Sequence, residues 1–225
     1  MDIVLDPVAI RILGALIEKE VTTPDYYPMS LNGLITACNQ KSNRDPVMQL
    51  SEEEINSAIE YLKDKRLIWQ RSVVGARVSK FEHNLRSFFP LSEQETGVLC
   101  VLLLRGPQTV GEIRQRTERL CSFENLEETD NVIRGLMSRK DGPFIAELPR
   151  QPGRKEPRFV HLFAGEEWVQ ELIEATATQN ELPPTPVTGT SRNDRIGELE
   201  TTVATLQEEL HQLREEFNAF RKMLE

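Results

Sequence analysis

The side chains best suited to a chemical role in this 225-residue sequence are an asparagine and several arginines and lysines in its second half. Asn131 and Arg134 stand one helical turn apart in "NLEETDNVIRGLMSR", on the side opposite the apolar positions. Asn and Arg suit bidentate contacts with adenine and guanine. The turn "QPGRKE" and its flanks add cations suited to backbone phosphates, namely Arg150, Arg154, Lys155 and Arg158. The pattern predicts a double-stranded DNA contact, although an exposed Arg/Asn face is also common on a solvated helix.

A second candidate is the polar stretch "KSNRDPVMQL", residues 41–50, between two segments with helical patterns. A helix-turn-helix joins its helices by three or four residues, so this longer connection predicts an ordered loop in place of a groove-reading turn. Its cationic tip could bind a partner protein or one phosphate through Lys41, Asn43 and Arg44. In the alternative, Arg44 and Asp45 fix the loop to its own domain.

The helix after this loop begins with three carboxylates, Glu52, Glu53 and Glu54. Carboxylates stabilise a helix N-terminus, but they repel phosphates. Opposite its apolar stripe lie more polar side chains, Glu53, Ser57, Glu60 and Asp64. This helix is therefore predicted to be a well-capped, solvated helix and not a DNA-reading one.

Patterns typical of catalysis or metal binding are missing from the sequence. The three histidines and three cysteines are far apart and have no metal-ligand spacing. The sequence contains neither a Gly-rich phosphate loop nor a G-x-S-x-G motif. We therefore expect no enzymatic activity, no cofactor and no metal.

The elements that must position these residues follow one order twice. In the first copy, Asp6-Pro7 starts a helix over about 7–20, Ser30 opens a second, and Ser51 with Glu54 forms a capping box before a third. "RLIWQRSVV" and "ARVSKFEHN" then resemble a hairpin. In the second copy, capping boxes at Ser92 and Thr109 precede two helices, and the Asn131 helix and another hairpin follow.

Three helices and a hairpin, repeated, predict an α+β, mainly α fold of two tandem winged-helix domains. We place the first domain at residues 1–85 and the second at residues 86–174. Residues 175–194, "ATATQNELPPTPVTGTSRND", predict a flexible or partly extended linker.

The last segment, residues 195–225, carries the most regular pattern in the chain. Apolar residues alternate at spacings of three and four, at Ile196, Leu199, Val203, Leu206, Leu210, Leu213, Phe217, Phe220 and Leu224. Such heptads predict a coiled coil, and the flanking charges are opposite in sign in the register of a parallel homodimer. In the alternative, this helix folds back onto its own domains.

The sequence predicts a cytoplasmic protein. The start "MDIVLDPVAI" has no signal-peptide pattern, and no apolar run reaches the ~20 residues that a membrane span needs. Three widely spaced cysteines fit reduced thiols. The net charge of −9 does not argue against DNA, because residues 164–225 hold 13 Asp/Glu against 5 Lys/Arg, whereas residues 86–163 hold 11 against 12.

The block "TTPDYYPMSLNGLITACNQKSNRDPVMQLSEEE", residues 22–54, resembles the signature region of the YceH-like proteins, a bacterial family of uncharacterised function. The likeness extends over about residues 5–163. It implies a tandem winged-helix fold in the bacterial cytosol, and it implies no activity and no site residues.

Two functional hypotheses follow. The first is a dimeric DNA-binding regulator with the second domain as the main reader. The second is a protein-interaction scaffold that binds no DNA. The basic residues near 150–158 favour the first hypothesis, and the acidic third helix and acidic tail favour the second.

Overall fold

The structure, a computed structural model, describes residues 3–71, 78–150 and 156–181, the last seven of them by their backbone only. The fold is α+β and mainly helical, as predicted. The first repeat comprises α1 (Pro7–Thr22), β1 (Met29–Ser30), α2 (Leu31–Cys38), α3 (Glu52–Asp64), β2 (Ile68–Arg71) and β3 (Lys80–His83). After the short helix α4 (Leu85–Phe88), the second comprises α5 (Glu93–Arg105), α6 (Val110–Thr117), α7 (Leu126–Met137), β4 (Ile145–Leu148) and β5 (Arg158–His161), and α8 (Glu166–Glu181) follows.

The predicted helix starts are confirmed by their capping hydrogen bonds. The carboxylate of Asp6 accepts a hydrogen bond from the Ala9 amide at 2.8 Å. Capping boxes form at Ser51–Glu54, Ser92–Glu95 and Thr109–Glu112. In each box the hydroxyl and the carboxylate satisfy two backbone N–H groups that the first helical turn leaves without partners.

Both predicted hairpins form, and the first gains a strand that the sequence pattern did not predict. β1 pairs antiparallel with β3, with Met29 opposite Phe81, and β3 pairs with β2 on its other side. A two-residue strand is too short to show alternation, so periodicity cannot reveal it. β4 and β5 form a separate antiparallel pair, with Ile145 opposite His161.

The C-terminal boundary differs from the prediction. Residues 175–181, expected to begin a linker, continue helix α8, which ends at Glu181. This stretch contains no Gly or Pro, so nothing stops the helix until Pro183 and Pro184 approach. The rest of the predicted linker, 182–194, and the predicted coiled coil, 195–225, lie outside the described residues.

The two repeats share one core in a compact unit, Met1–Asn180. Every residue of α5 from Thr96 to Leu104 is buried, and α1 packs along it. At their contact a Cβ atom on Gly14 would lie 2.9 Å from Leu104 Cδ2 and 3.1 Å from Leu103 Cβ. Glycine at residue 14 therefore permits an approach that a larger side chain would prevent.

Candidate nucleic-acid interface

The exposed face of α7 carries the predicted base-reading residues. Asn131 and Arg134 are exposed, whereas Ile133 and Leu136 on the opposite side are fully buried. Arg134 Nε donates a hydrogen bond of 2.6 Å to Asp130 Oδ2 one turn earlier. This hydrogen bond and the charge of Asp130 raise the pKa of Arg134. An exposed pair of this kind contributes little to stability, so Arg134 can exchange partners at small cost.

The cations of the second hairpin, which were predicted to contact phosphates, differ in their surroundings. Arg150 is exposed just after β4, and Arg154 and Lys155 lie outside the described residues. Arg158 is half-buried: its guanidinium donates to the carbonyl of Pro107 at 2.7 Å and lies 3.1 Å from Glu112 Oε2. These contacts occupy the guanidinium of Arg158 within the protein, and its phosphate contact stays a prediction. This side chain ties β5 to the start of α6, because Glu112 stands in the first turn of that helix.

The loop after α2 is held in place by a buried cation. The side chain of Arg44 is fully buried and forms two hydrogen bonds with the Glu18 carboxylate, of 3.2 and 2.7 Å. It also donates to the carbonyls of Ala37 and Asn43. The prediction of Arg44 as a partner or phosphate contact is corrected, and the alternative, in which Arg44 fixes the loop to its own domain, is what the structure shows.

The other two residues of this loop site, Lys41 and Asn43, are exposed. Asn43 Oδ1 accepts a close hydrogen bond from the guanidinium of Arg105 at the end of α5. The tip of the loop thus touches the second repeat as well as its own.

A second buried arginine, which sequence reasoning missed, anchors the same loop. Arg11 donates to the carbonyls of Cys38 and Pro46, at 3.1 and 2.6 Å. Burial, and then the charge of Arg44, lowers the pKa of Arg11. The available signal was its position inside the apolar run "AIRILGALI", where a charged side chain needs buried partners.

Helix α3 matches the prediction of a solvated, acidic helix. Its apolar stripe, Ile55, Ala58, Ile59 and Leu62, is buried, while Glu53, Ser57, Glu60 and Asp64 are exposed. This exposed face presents Glu53 and Glu60, whereas the equivalent face of α7 carries Glu127 in its first turn and then Asn131 and Arg134.

A metal cluster, a membrane-spanning helix and a disulfide are all absent from the described residues. Among residues 3–71, 78–150 and 156–174, no three His, Cys, Asp or Glu side chains converge to hold a metal ion. No helix there is long and apolar enough to cross a membrane. Cys38, Cys100 and Cys121 form no disulfide, and burial raises the pKa of the Cys38 thiol to about 12.

Fold and site together define an α+β protein of two helix-and-hairpin repeats with an exposed polar helix in the second. Residues 5–154 match the family described as "Protein of unknown function, DUF480". The UPF0502 protein of Aeromonas hydrophila is 43% identical over 217 residues, covering 95% of this chain and 99% of that protein. The UPF0502 protein of Vibrio cholerae is 48% identical over 185 residues, covering 80% and 85%. The chain belongs to this family of uncharacterised bacterial proteins, and the YceH-like resemblance is confirmed.

Proposed function

We propose that this protein is a non-enzymatic, cytoplasmic DNA-binding regulator, a dimer of tandem winged-helix chains whose second repeat is the main reader. The observation that carries the proposal is the exposed face of α7, where Asn131 and Arg134 stand opposite the fully buried Ile133 and Leu136. Recognition helices of winged domains enter the major groove, where such side chains contact base edges.

The contrast between the two repeats supports this choice of reader. The third helix of the first repeat begins with Glu52, Glu53 and Glu54 and carries Glu60 farther along. These exposed carboxylates would meet the phosphates of a duplex and repel them. In the second repeat the exposed cation Arg150 lies at the end of β4, where a wing contacts the DNA backbone.

Asp130 controls whether the guanidinium of Arg134 is free to contact a base. In the free protein it holds the guanidinium along the helix surface at 2.6 Å. On DNA, Arg134 would leave this carboxylate for a base edge, so Asp130 competes with the base. Removing its charge frees Arg134 and also removes a repulsion from phosphate.

DNA binding is tested with salt-titrated affinity measurements on genomic fragments. Arg134→Ala should cost about 1–3 kcal/mol at preferred sites and relax sequence preference. Asp130→Asn should tighten binding. Reversing charge at Arg150, Arg154 and Lys155 should instead weaken binding to all sequences and make the salt dependence shallower.

The matched control for these changes lies on the first repeat. Glu53→Gln and Glu60→Gln should leave affinity unchanged or raise it, because those carboxylates only repel the backbone. Wild-type protein that binds no DNA at low salt, where electrostatic contacts are strongest, contradicts the proposal.

A second candidate function is a protein-interaction scaffold, and the first hairpin favours it. Trp69 on β2 is 44% exposed, and Val78 just before β3 is 54% exposed. An exposed tryptophan on a wing is better suited to a protein partner than to phosphate. This candidate predicts no DNA binding at moderate salt and loss of a protein partner on Trp69→Ala.

Assembly is tested separately through the heptads of residues 196–224. Full-length protein should be a dimer in light scattering, and a chain ending at Glu181, the last residue of α8, should be mostly monomeric. Full-length Leu210→Lys is the point-substitution version of the same test, since a charge in an apolar seam disfavours association. A dimer that survives both changes would place the dimer contact elsewhere.

A further inference from the structure

A polar cleft of about 780 Å³ lies where the two repeats meet. The end of α1, the loop after α2, the end of α5 and the end of α6 contribute to its walls. A volume of this size is within the usual ~300–1,000 Å³ of small-molecule sites. The α7 face lines no part of it, so this cleft is separate from the proposed DNA interface.

Cations dominate the lining of this cleft. Five basic side chains line it, against two carboxylates, Glu18 and Glu118. The basic residues are Lys19, Lys41, Arg105, Arg116 and Arg119. Glu18 is already engaged by Arg44 and by Lys19, at 2.7 and 3.0 Å, so it offers little compensation to the remaining cations.

Three of these cations lack a strong ionic partner in the described part of the chain. Lys41 and Arg119 are exposed and form no ion pair there. Among the described residues, the guanidinium of Arg105 donates only to the neutral amide oxygen of Asn43. Burial, followed by the nearby charges of Arg116 and Arg44, lowers the pKa of Arg105. The charges of Glu18 and Asp45 oppose this effect, but neither carboxylate forms an ion pair with Arg105.

Helix ends compensate only part of this charge. α1, α2, α5 and α6 all end near the cleft, and each C-terminus carries about half a negative charge. Four ends thus offset about two positive charges. Arg44 behind the wall pairs with Glu18, and Arg116 pairs with Glu112 at 3.9 Å. The positive charge available to a ligand is therefore that of Lys41, Arg105 and Arg119, which form no ion pair in the described part of the chain.

We propose that this cleft binds a small phosphorylated molecule. Guanidinium groups match phosphate oxygens with two parallel hydrogen bonds, and the lysines add point charges. Neutral donors beside them, Gln40, Ser42 and Gln115, can hold the uncharged part of such a ligand. A concave space of about 780 Å³ between helices can enclose a compact anion, whereas it is too small to enclose a duplex.

The ligand would contact both repeats at once. Lys41 lies in the first repeat, and Arg105 and Arg119 lie in or beside helices of the second. Binding would therefore stabilise the shared unit against unfolding, by an amount that grows with the logarithm of ligand concentration above the Kd. This effect does not depend on DNA binding.

The test is calorimetric titration of full-length protein with pyrophosphate and with ADP at fixed ionic strength. Wild-type protein should bind both, and Lys41→Glu and Arg119→Glu should each weaken binding by at least about tenfold, since a hydrogen bond to a charged group contributes about 1.5–3 kcal/mol. Both side chains are exposed and unpaired, so these variants should fold normally. Lys140→Glu, an exposed cation outside the cleft, is the matched control and should bind like wild type.

Three results of the titrations overturn the proposal. These are no binding of either probe by wild-type protein, equal weakening by Lys140→Glu, and tighter binding of citrate than of pyrophosphate. Loss of DNA affinity in the Lys41 and Arg119 variants without any change in pyrophosphate affinity would also overturn it, by assigning the cleft to the nucleic-acid backbone. If the protein binds pyrophosphate but no DNA, the result would support the phosphate-binding cleft and refute only the proposed DNA-binding function.

Discussion

Replacing Glu18 with Gln should lower the free energy of unfolding by about 3 kcal/mol, because it leaves the charge of Arg44 buried beside a neutral amide. The Arg44 side chain is fully buried and that of Glu18 is 12% exposed, so water cannot replace the lost carboxylate. The measurement is urea denaturation of full-length protein at neutral pH.

The exposed pair Glu60–Lys63 on α3 is the matched control. Its side chains are 67% and 29% exposed, at an N–O distance of 2.9 Å. Glu60→Gln should change stability by less than about 0.5 kcal/mol, as expected for a solvated pair. Equal effects of Glu18→Gln and Glu60→Gln would show that the buried pair is not what holds the loop.

The same pair predicts a pH dependence. Burial alone would raise the pKa of Glu18, but the hydrogen bonds and charge of Arg44, with those of Lys19, lower it below its ordinary value of 4.5. A carboxyl whose folded pKa is lowered contributes stability above its unfolded pKa and loses it as pH falls through the folded pKa. The difference between wild type and Glu18→Gln should therefore be largest near neutral pH and shrink below about pH 4. A difference that stays constant down to about pH 3 would contradict this assignment.

Phe144→Ala should destabilise the second repeat by about 3–5 kcal/mol, the usual cost of deleting a buried aromatic ring. The Phe144 ring is fully buried, 4.7 Å from the centroid of Phe89 in an edge-to-face arrangement and 6.0 Å from that of Phe163. The guanidinium of Arg139 lies 5.7 Å from the same ring. Removing the ring leaves a cavity between the segment before β4, the end of α4 and the segment after β5.

Phe144→Leu is the comparison, since it keeps much of the apolar volume and should cost clearly less than Phe144→Ala. Thermal and urea unfolding of both variants measures the difference. Similar losses in the two variants would mean that edge-to-face geometry, and not cavity formation, dominates at this position.

Most of the fold was predictable from short-range sequence patterns. Capping boxes at Ser51, Ser92 and Thr109 and the apolar stripe of α3 depend on residues within one or two turns, so a sequence displays them directly. β1 and the extension of α8 past residue 174 were not predicted, for different reasons. The two residues of β1 are too few to show the alternation of a strand. The predicted linker began at residue 175, but no Gly or Pro follows there to end α8 before Glu181.

The site was less predictable because its contacts join distant residues. The pairing of Arg44 with Glu18 spans 26 positions, and that of Arg158 with Glu112 spans 46. Nothing near either arginine reveals whether its charge is free or already paired. Exposure of Asn131 and Arg134 was predictable, because helical periodicity alone decides which face of α7 is buried.

The close approach of α1 and α5 at Gly14 has a consequence for how the protein can be divided. α5 is buried on almost every side, partly by its own repeat and partly by α1. A chain cut between the repeats would uncover α5 in one half and the side of α1 that packs on it in the other, and both apolar surfaces favour aggregation. The repeats resemble two halves of a single cooperative unit, so they should melt together, and we expect neither to fold as an autonomous module.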